Sequence, residues 1–367
     1  IVIHNSFFIL LAEPVFGIDS AGNGHFLGHL LAQLWIFLGW DTPLMASIGY
    51  AIGYFMDIGG VLLFLAYLPG SKHFHVLSAV PSVFLRNLDR KTSLLEDHEH
   101  LNEQLAQGLA INDFKDFTWK DTLDLFTCTE CGRCQDVCPA YASGNPLSPK
   151  LLITDLRDAL LKQLRRSDAE QGKPIAGEVI SEETLWSCTT CRACEEACPV
   201  FIEHVPKIVG LRAALVEQGH VEERGQETFE HWVEQGNAYG ENPSERPALQ
   251  KKLGFQFKDA RKEAVDWLWF LGDVASFDRE PNVFKSIQAL SGLLKVAELD
   301  VGLLYSREVN SGNDALRMGE FGLFEELAKK NMAAMSEASF NRILTSDPHS
   351  YNALVNDYPK LGLKQPV

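Results

Sequence analysis

Two cysteine runs of the same spacing constrain this chain more than any other feature. Each run reads Cys-x2-Cys-x2-Cys-x3-Cys-Pro, and together they contain all eight cysteines: Cys128, Cys131, Cys134 and Cys138 in the first run, and Cys188, Cys191, Cys194 and Cys198 in the second. Disulfides would spread cysteines along the fold, and zinc ribbons use cysteine pairs without the third cysteine and the proline. Three thiolates spaced by two residues wrap one corner of a cubane, so the runs predict [4Fe–4S] clusters.

The fourth cysteine of each run stands before a proline, Pro139 or Pro199, and points away from the first three. In this respect the runs resemble those of two-cluster ferredoxins, where the fourth cysteine ligates the other cluster. The resemblance implies two neighbouring [4Fe–4S] clusters with interleaved ligands. Cluster 1 takes Cys128, Cys131, Cys134 and Cys198, and cluster 2 takes Cys188, Cys191, Cys194 and Cys138. Two adjacent clusters without a substrate pocket make a one-electron relay.

Size and charge narrow the class of protein. A length of 367 residues predicts two or three domains, and 46% hydrophobic residues suffice for folded cores. The net charge is −16 and no long basic run occurs, so we expect no nucleic-acid partner. Because thiolate clusters need a reducing compartment, we expect the cluster domain to lie in the cytoplasm.

The first seventy residues have the pattern of a membrane segment. No Lys or Arg precedes Lys72, and residues 43–69 are long and apolar enough to cross a bilayer, interrupted only by Asp57. Thr42 and Pro43 predict the start of this helix, as cap and first-turn residue. Basic residues follow it and predict a cytoplasmic side from residue 72 onward: Lys72, Arg86, Arg90 and Lys91. A buried helix of a soluble protein is the alternative.

Two apolar stretches precede this span. Residues 3–16 predict the end of a helix, and residues 25–40 predict a short helix that is tilted or interfacial. Residues 17–24 between them predict a polar, glycine-rich loop on the outer side. The chain opens without a methionine inside an apolar run, so we expect it to begin within a longer protein.

Residues 71–81 (SKHFHVLSAVP) resemble the exit from the last helix of the nitrate-reductase gamma-subunit type of cytochrome b. The resemblance implies that His75 ligates a b-type haem, with a second ligand eighteen residues earlier on the same helix. That position is Asp57, which cannot act as an imidazole, so at least one haem site is damaged and haem at His75 stays an open question. Asp57 serves either a proton path or quinone pocket, or a structural contact. The other histidines of the segment are alternative axial partners or boundary residues: His4, His25 and His29.

Residues 119–219 predict helices around two cluster loops. Within them, residues 119–150 and 185–212 resemble the iron–sulfur subunits of heterodisulfide reductase, glycolate oxidase and anaerobic glycerol-3-phosphate dehydrogenase. The resemblance implies electron relay through the clusters. Gly132 is expected to let the backbone approach a cluster sulfide, and amides between the cysteines are expected to tune the potential.

From Val265 the pattern alternates between strands and helices. Strands are predicted at residues 266–272, 301–305 and 342–346, with helices at 282–294, at 317–335 and after Asn352. This alternation is the signature of a parallel α/β sheet.

The order of motifs here resembles the cysteine-rich (CCG-type) domain of the same family, which holds a further cluster. The expected ligand positions fall in Gly272-Asp273, in residues 310–313 (NSGN) and in residues 347–350 (DPHS), none of which contains cysteine. Oxygen ligands do not hold such a cluster, which argues against disulfide reduction here. Asp347, His349 and Ser350 have the residue types of a catalytic trio, and a loop inherited from a lost cluster site explains them equally well.

The fold class predicted is therefore multidomain. We expect an α-helical membrane segment at residues 1–86, a helical linker at 87–115 and an all-α, two-[4Fe–4S] ferredoxin-like domain at 116–220. A linker at 221–262 and a degenerate CCG-type α/β domain at 263–367 complete the chain. Family members continue into a second such domain, so we expect a truncated chain or a second subunit that supplies it.

The leading hypothesis is a membrane-attached oxidoreductase component that carries electrons between a cytoplasmic donor and quinone or haem. The donor expected is an electron-transferring flavoprotein or another redox subunit, and the location is the inner membrane, with lipid around the span and soluble domains on the cytoplasmic side. The alternative is an electron-wire and scaffold subunit of a larger complex without its own substrate site. A heterodisulfide-type reductase requires that a partner provide the catalytic cluster.

Overall fold

A computed structural model describes residues 2–12, 26–88, 94–95, 110–165, 174–253, 256–277, 279–364 and 367. The predicted loop at 17–24, His25, Arg90, Lys91 and most of the predicted linker lie outside these ranges, as do the side chains of His4 and Lys72. The chain forms two compact units, Ile1–Leu77 and Ser78–Val367.

The first unit contains the helices Val2–Ala12, Phe26–Phe37 and Pro43–Tyr67, and the start of the helix His75–Phe84. Its helices pack through aromatic rings and a glycine. Phe7 stacks on Trp35 with ring centroids 5.2 Å apart, and the Trp35 indole N–H donates to the Ser6 hydroxyl at 2.8 Å. A Cβ atom at Gly49 would lie 2.4 Å from the Phe7 ring, so the small residue allows the helices to approach closely.

The helix Pro43–Tyr67 is, among the described residues, the one long and apolar enough to cross a membrane. It begins as predicted: the Thr42 side chain accepts a hydrogen bond from the Met45 amide, and Pro43 occupies the first turn. Large apolar side chains point outward along it, with Phe55 72% and Leu63 74% exposed. Such an apolar surface suits lipid better than water.

The expectation that Asp57 and His75 share one helix is wrong. Asp57 lies in Pro43–Tyr67, whereas His75 begins the next helix, His75–Phe84. Two short 3-10 turns, Leu68–Gly70 and Lys72–Phe74, separate the helices, and Ser71 between them is extended. Pro69 cannot donate a backbone hydrogen bond, which ends the first helix early. The five-turn spacing predicted for two haem ligands on one face therefore does not apply.

The cluster region is helical, as predicted. Its helices are Trp119–Thr127, Arg133–Asp136, Pro139–Ala142, Pro149–Arg165, Glu182–Trp186, Ala193–Glu196 and His204–Glu217. They enclose one core that includes Leu125, Ile153 and Leu211, all with no exposed surface. The helices Glu223–Gln235 and Ala248–Leu253 follow.

The C-terminal region is built on a parallel sheet in the order β1-β3-β2-β4. The strands are β1 (Lys258–Asp259), β2 (Trp267–Phe270), β3 (Val301–Leu303) and β4 (Arg342–Thr345). The helices are Asp273–Ser276, Pro281–Val296, Asn313–Met318, Phe321–Ser336 and Pro348–Asn352. Alternate residues of β2 face opposite cores. Leu268 and Phe270 pack into one core, and Trp269 packs into the other. Strands β2, β3 and β4 confirm the three predicted strands, whereas β1 was not predicted.

The helix predicted at 317–335 is split in two at Gly319. Gly319 has a φ of +94°, and a Cβ atom there would lie 2.5 Å from the backbone nitrogen of Ala213. Ala213 belongs to the cluster-region helix His204–Glu217. The glycine thus permits a close backbone contact between the sheet region and the cluster region, and a side chain at this position would be excluded.

Candidate iron–sulfur site

The described structure brings the predicted ligands of cluster 1 together. Cys198 lines one small cavity together with three cysteines of the first run: Cys128, Cys131 and Cys134. Burial raises the pKa of the Cys128 thiol, and the charge of Cys198 raises it further. Burial and the charges of Cys128 and Cys198 raise the pKa of Cys134 to about 12. A site in which several thiolates repel one another suits a cationic metal cluster, which removes their protons on binding.

The second set shows the reciprocal arrangement. Burial raises the pKa of Cys188, and the charges of Cys138 and Cys191 raise it further. Burial also raises the pKa of Cys194, with contributions from Glu195, then Cys188 and then Cys134. Cys138, from the first run, is thus a neighbour of the second run. Cys188 also packs against the small core that contains Cys138, so the two runs adjoin at this point.

All eight cysteines are free thiols, so the disulfide alternative is not realised. Within the described ranges, no three His, Cys, Asp or Glu side chains converge closely enough to hold a single metal ion. Four cysteines around one cavity are the ligand number that the predicted cubane requires.

The two cysteine loops share an unusual backbone. Gly132 and Arg192, equivalent in the two runs, have φ values of +84° and +61°, and Glu130 and Thr190 have φ values of +55° and +53°. A Cβ atom at Gly132 would meet no described atom within 4 Å. The loop therefore needs the left-handed conformation, which glycine adopts without strain and which Arg192 also adopts.

Backbone amides of these loops point at sulfur. The Thr190 amide donates to Cys188 Sγ at 3.3 Å, and the Ile202 amide donates to Cys198 Sγ at 3.4 Å. Hydrogen bonds of this kind stabilise added negative charge on a cluster and so tune its potential. This agrees with the role expected for the loop amides.

Two serines of the helix His75–Phe84 bind the segments that flank cluster 1. The Ser78 hydroxyl donates to the Phe126 carbonyl at 2.9 Å, and the buried Ser82 hydroxyl donates to the Val200 carbonyl at 3.0 Å. Phe126 stands two residues before Cys128, and Val200 stands two residues after Cys198. The helix segment from Ser78 onward therefore packs directly beside this cysteine site.

A buried charge group that the sequence did not reveal lies behind the same cysteines. Lys207 has no exposed surface, and its Nζ bonds Asp124 at 2.8 Å and Asp121 at 2.9 Å. Its position in an otherwise apolar helix (HVPKIVGLRAALVE) was the available signal. Arg212 of the same helix is 4% exposed and donates to the Cys188 carbonyl at 2.6 Å.

The three cysteine-free segments of the C-terminal region converge as the family resemblance implied. The Asn310 amide donates to Asp273 at 2.7 Å, and Asn313 lies 3.3 Å from His349 Nδ1. A Cβ atom on Gly272 would lie 2.7 Å from the Asp347 carboxylate.

An ion-pair network lies on one side of the point where these three segments meet. Buried Arg246 donates to Glu308 at 2.9 Å, to Asp273 at 3.2 Å and to Ser276 at 2.6 Å. Glu308 also accepts the amides of Leu271 and Gly272, at 3.2 and 3.0 Å. Residues 221–262 were predicted as a plain linker, so the part played by Arg246 was missed. We name Arg246, Asp273 and Glu308 the Arg246 network.

The trio Asp347, His349 and Ser350 is not arranged for catalysis. Asp347 caps the helix Pro348–Asn352 and accepts bonds from the backbone amides of His349 and Ser350 and from the Ser350 hydroxyl. The His349 imidazole instead bonds Asp314 at 2.5 Å. An open cavity of about 410 Å³ lies between His349 and the loop that carries Cys191.

The comparisons with known proteins agree with the cysteine chemistry. Residues 124–202 match the family model described as a 4Fe-4S dicluster domain. The chain is 32% identical to the probable iron-sulfur-binding oxidoreductase FadF of Bacillus subtilis, over 90% of this chain and 54% of that protein. It is 36% identical to a probable membrane-anchored ferredoxin of Chromohalobacter salexigens, over 69% of this chain and 40% of the relative.

A third relative is an EtfAB:quinone oxidoreductase of Syntrophomonas wolfei, 31% identical over 82% of this chain and 45% of that protein. The chain thus spans about half the length of these curated relatives. No solved structure matches the chain.

Proposed function

We propose that this chain, which is a homologue of iron–sulfur oxidoreductases with a 4Fe-4S dicluster domain, is a membrane-attached electron relay with two [4Fe–4S] clusters. The observation that carries the proposal is the interleaving of the cysteine runs. Two contacts support it: Cys198 lines one cavity with three cysteines of the first run, and Cys188 of the second run packs against the small core that contains Cys138. Two clusters held this way exchange electrons one at a time, and the cysteines supply neither an acid nor a base.

The end points of the relay are a cytoplasmic flavoprotein and the membrane quinone pool. One relative is named EtfAB:quinone oxidoreductase, and its name supports both end points. The membrane-anchored ferredoxin relative and the helix Pro43–Tyr67 support membrane association. We place the cluster region on the cytoplasmic side of the inner membrane, and the basic residues after the span support this orientation. Haem b at half-buried His75 belongs to the same proposal.

A second candidate is an electron-wire and scaffold subunit without its own substrate site. The Arg246 network favours it, because the positions that would hold a third cluster are filled by an internal ion pair. In that case partner subunits provide the quinone site and the flavin. The optical spectrum of the purified chain separates the two: b-type haem bands support a quinone-linked chain, and cluster bands alone support the scaffold.

The ligand assignment is tested by four single substitutions and EPR-monitored redox titration of the holoprotein. Cys198→Ser and Cys128→Ser should alter the same EPR signal, whereas Cys138→Ser and Cys188→Ser should alter the other. If Cys138→Ser and Cys128→Ser alter one signal together, the interleaving is wrong. Iron and haem analysis on the same samples counts the centres.

The quinone link needs a separate measurement in membranes. The clusters are reduced chemically, a quinone analogue is added, and reoxidation is followed optically. We expect the clusters to be reoxidised to an extent that depends on the added quinone analogue. This reoxidation should be lost when the membrane segment is solubilised and no longer has access to quinone. Clusters that stay reduced at all analogue concentrations would exclude the quinone acceptor while leaving the relay intact.

A further inference from the structure

His204 is a buried histidine beside the cysteines of cluster 1. It is 1% exposed and begins the helix His204–Glu217. It lines the same small cavity as Cys128, Cys131, Cys134 and Cys198. Within the described part of the chain, its Nδ1 atom has no hydrogen-bond partner. Buried polar atoms are nearly always paired, so an orphaned one beside a ligand cavity points to a contact with the ligand.

Two charged groups that act on His204, Lys207 and Asp124, are engaged elsewhere. Lys207 has three Nζ hydrogens and bonds Asp121, Asp124 and the Glu203 carbonyl, at 2.9, 2.8 and 2.9 Å. Asp124 accepts from Lys207 and from the Glu203 amide at 3.0 Å. Neither group bonds Nδ1 of the histidine. The sulfur atoms of a cluster in the adjoining cavity are acceptors that would satisfy it.

The ring of His204 is neutral. Burial lowers the pKa of His204 to about 4, with the positive charge of Lys207, against the charge of Asp124 and a backbone hydrogen bond with Ile202. The Ile202 backbone is thus the protein partner that competes with the cluster for the ring N–H. A neutral imidazole carries one N–H, so it can donate from Nδ1 only in one of its two tautomers. The tautomer therefore decides whether the ring can donate to the cluster.

We propose that His204 carries its proton on Nδ1 and donates a hydrogen bond to a sulfur atom of cluster 1. Such a bond stabilises the reduced cluster, which is the more negative form, more than the oxidised one. His204 therefore raises the reduction potential of cluster 1. The inference rests on the cluster assignment of the proposed function.

The two clusters differ in this respect. His204 is the sixth residue after Cys198, and the sixth residue after Cys138, beside cluster 2, is Gly144. A glycine has no side-chain donor. The hydrogen bond is thus specific to cluster 1, and cluster 2 serves as an internal control in every measurement on the same chain.

Two substitutions separate the hydrogen bond from packing. His204→Phe keeps a flat ring and removes the donor, whereas His204→Asn places an amide N–H near the position of Nδ1. Midpoint potentials of both clusters are measured by EPR-monitored titration of the full-length holoprotein. At a fixed potential near the wild-type midpoint, we expect the reduced fraction of cluster 1 to fall several-fold in His204→Phe. It should stay near the wild-type value in His204→Asn, and cluster 2 should not change in either.

Three results would overturn the inference. One is an unmoved midpoint of cluster 1 in His204→Phe with full iron content, and another is an equal shift in both variants, which would indicate packing. A chain that binds no iron would overturn the proposed function and this inference with it. Wild-type protein labelled with 15N-histidine gives a test that needs no substitution: pulsed EPR of reduced cluster 1 should show a histidine nitrogen coupling, and its absence counts against the bond.

Discussion

The guanidinium of Arg212 donates a hydrogen bond of 2.6 Å to the carbonyl oxygen of Cys188. Its other hydrogen bonds among the described residues also end on carbonyl oxygens, including those of Leu185 at 2.7 Å and Arg317 at 2.9 Å. A buried cation held by neutral dipoles is costly unless an opposite charge lies nearby. A thiolate-bound cluster carries that charge, so we expect cluster 2 to act as the counter-charge of Arg212.

Removal of this cation should lower the potential of cluster 2. In Arg212→Gln we expect a downward shift on the order of 60 mV, a tenfold change in the one-electron equilibrium. Arg212→Lys keeps the charge and should shift less. The measurement is an EPR-monitored titration, with the exposed Arg307→Gln as a control. Equal potentials in wild type and Arg212→Gln would show that the cation does not act on the cluster.

Loss of the buried amine behind cluster 1 should destabilise the fold. Lys207→Met removes the cation that Asp124 and Asp121 share and leaves Asp124 with Lys120 as its remaining ion-pair partner. The cost should therefore approach, without exceeding, the value of about 3–5 kcal/mol for an unpaired buried charge. Chemical unfolding of the holoprotein measures this loss. The matched control is Lys329→Met, which breaks an exposed pair with Glu325 and should cost about 0.5 kcal/mol or less. A loss below about 1 kcal/mol for Lys207→Met would contradict the prediction.

Ser82, which bonds the carbonyl of Val200 near Cys198, should stabilise the cluster 1 site. Ser82→Ala removes the donor to the buried Val200 carbonyl and should cost about 1–3 kcal/mol. Because Val200 follows Cys198 closely, iron should also be lost faster to a chelator. Ser336→Ala, at an exposed helix position, is the control and should change neither quantity. A chelation rate equal to that of wild type would separate Ser82 from the site.

The Arg246 network should make stability depend on pH. Burial is the first cause that raises the pKa of Glu308, from 4.5 to about 7, against the opposing charge of Arg246. Between these values the folded protein holds a proton that the unfolded chain has released. The contribution of Glu308 to the free energy of unfolding therefore falls as pH rises from about 4.5 to about 7, by at most about 3 kcal/mol, and is level above that window.

Glu308→Gln should remove this decline. Unfolding curves for wild type and variant, recorded from about pH 5 to about pH 8, give the difference between the two free energies at each pH. Glu337→Gln, an exposed substitution, should run parallel to wild type. A constant difference between wild type and Glu308→Gln would mean that Glu308 does not titrate in this window.

Local spacing was enough to predict the cysteine site and much of the fold. Each cysteine run predicts cluster binding within eleven residues, and Thr42 and Pro43 alone predict the start of a helix. The strands around Trp267, Val301 and Arg342 were predictable because their apolar runs alternate with helical ones. In each case the signal lies within a few residues.

The interactions that were missed join residues far apart in the chain. Arg246 and Glu308 are 62 residues apart, and Lys207 and Asp124 are 83 apart. No local pattern reports such a pair, although a charge inside an apolar helix hints at one for Lys207. The helix break before His75 was missed for a different reason: the family resemblance suggested one continuous helix across Pro69.

The Arg246 network also limits how cysteine ligands could be introduced into this region. Asp273 and Asn310 occupy segments where a family frame would place cysteine, and they are bonded to each other, with Arg246 bonded to Asp273. A single Asp273→Cys substitution would leave Arg246 with less counter-charge and would supply only one thiolate of a ligand set. Stability would therefore fall before any cluster could bind. An engineered third cluster would require Arg246 and Glu308 to be replaced first.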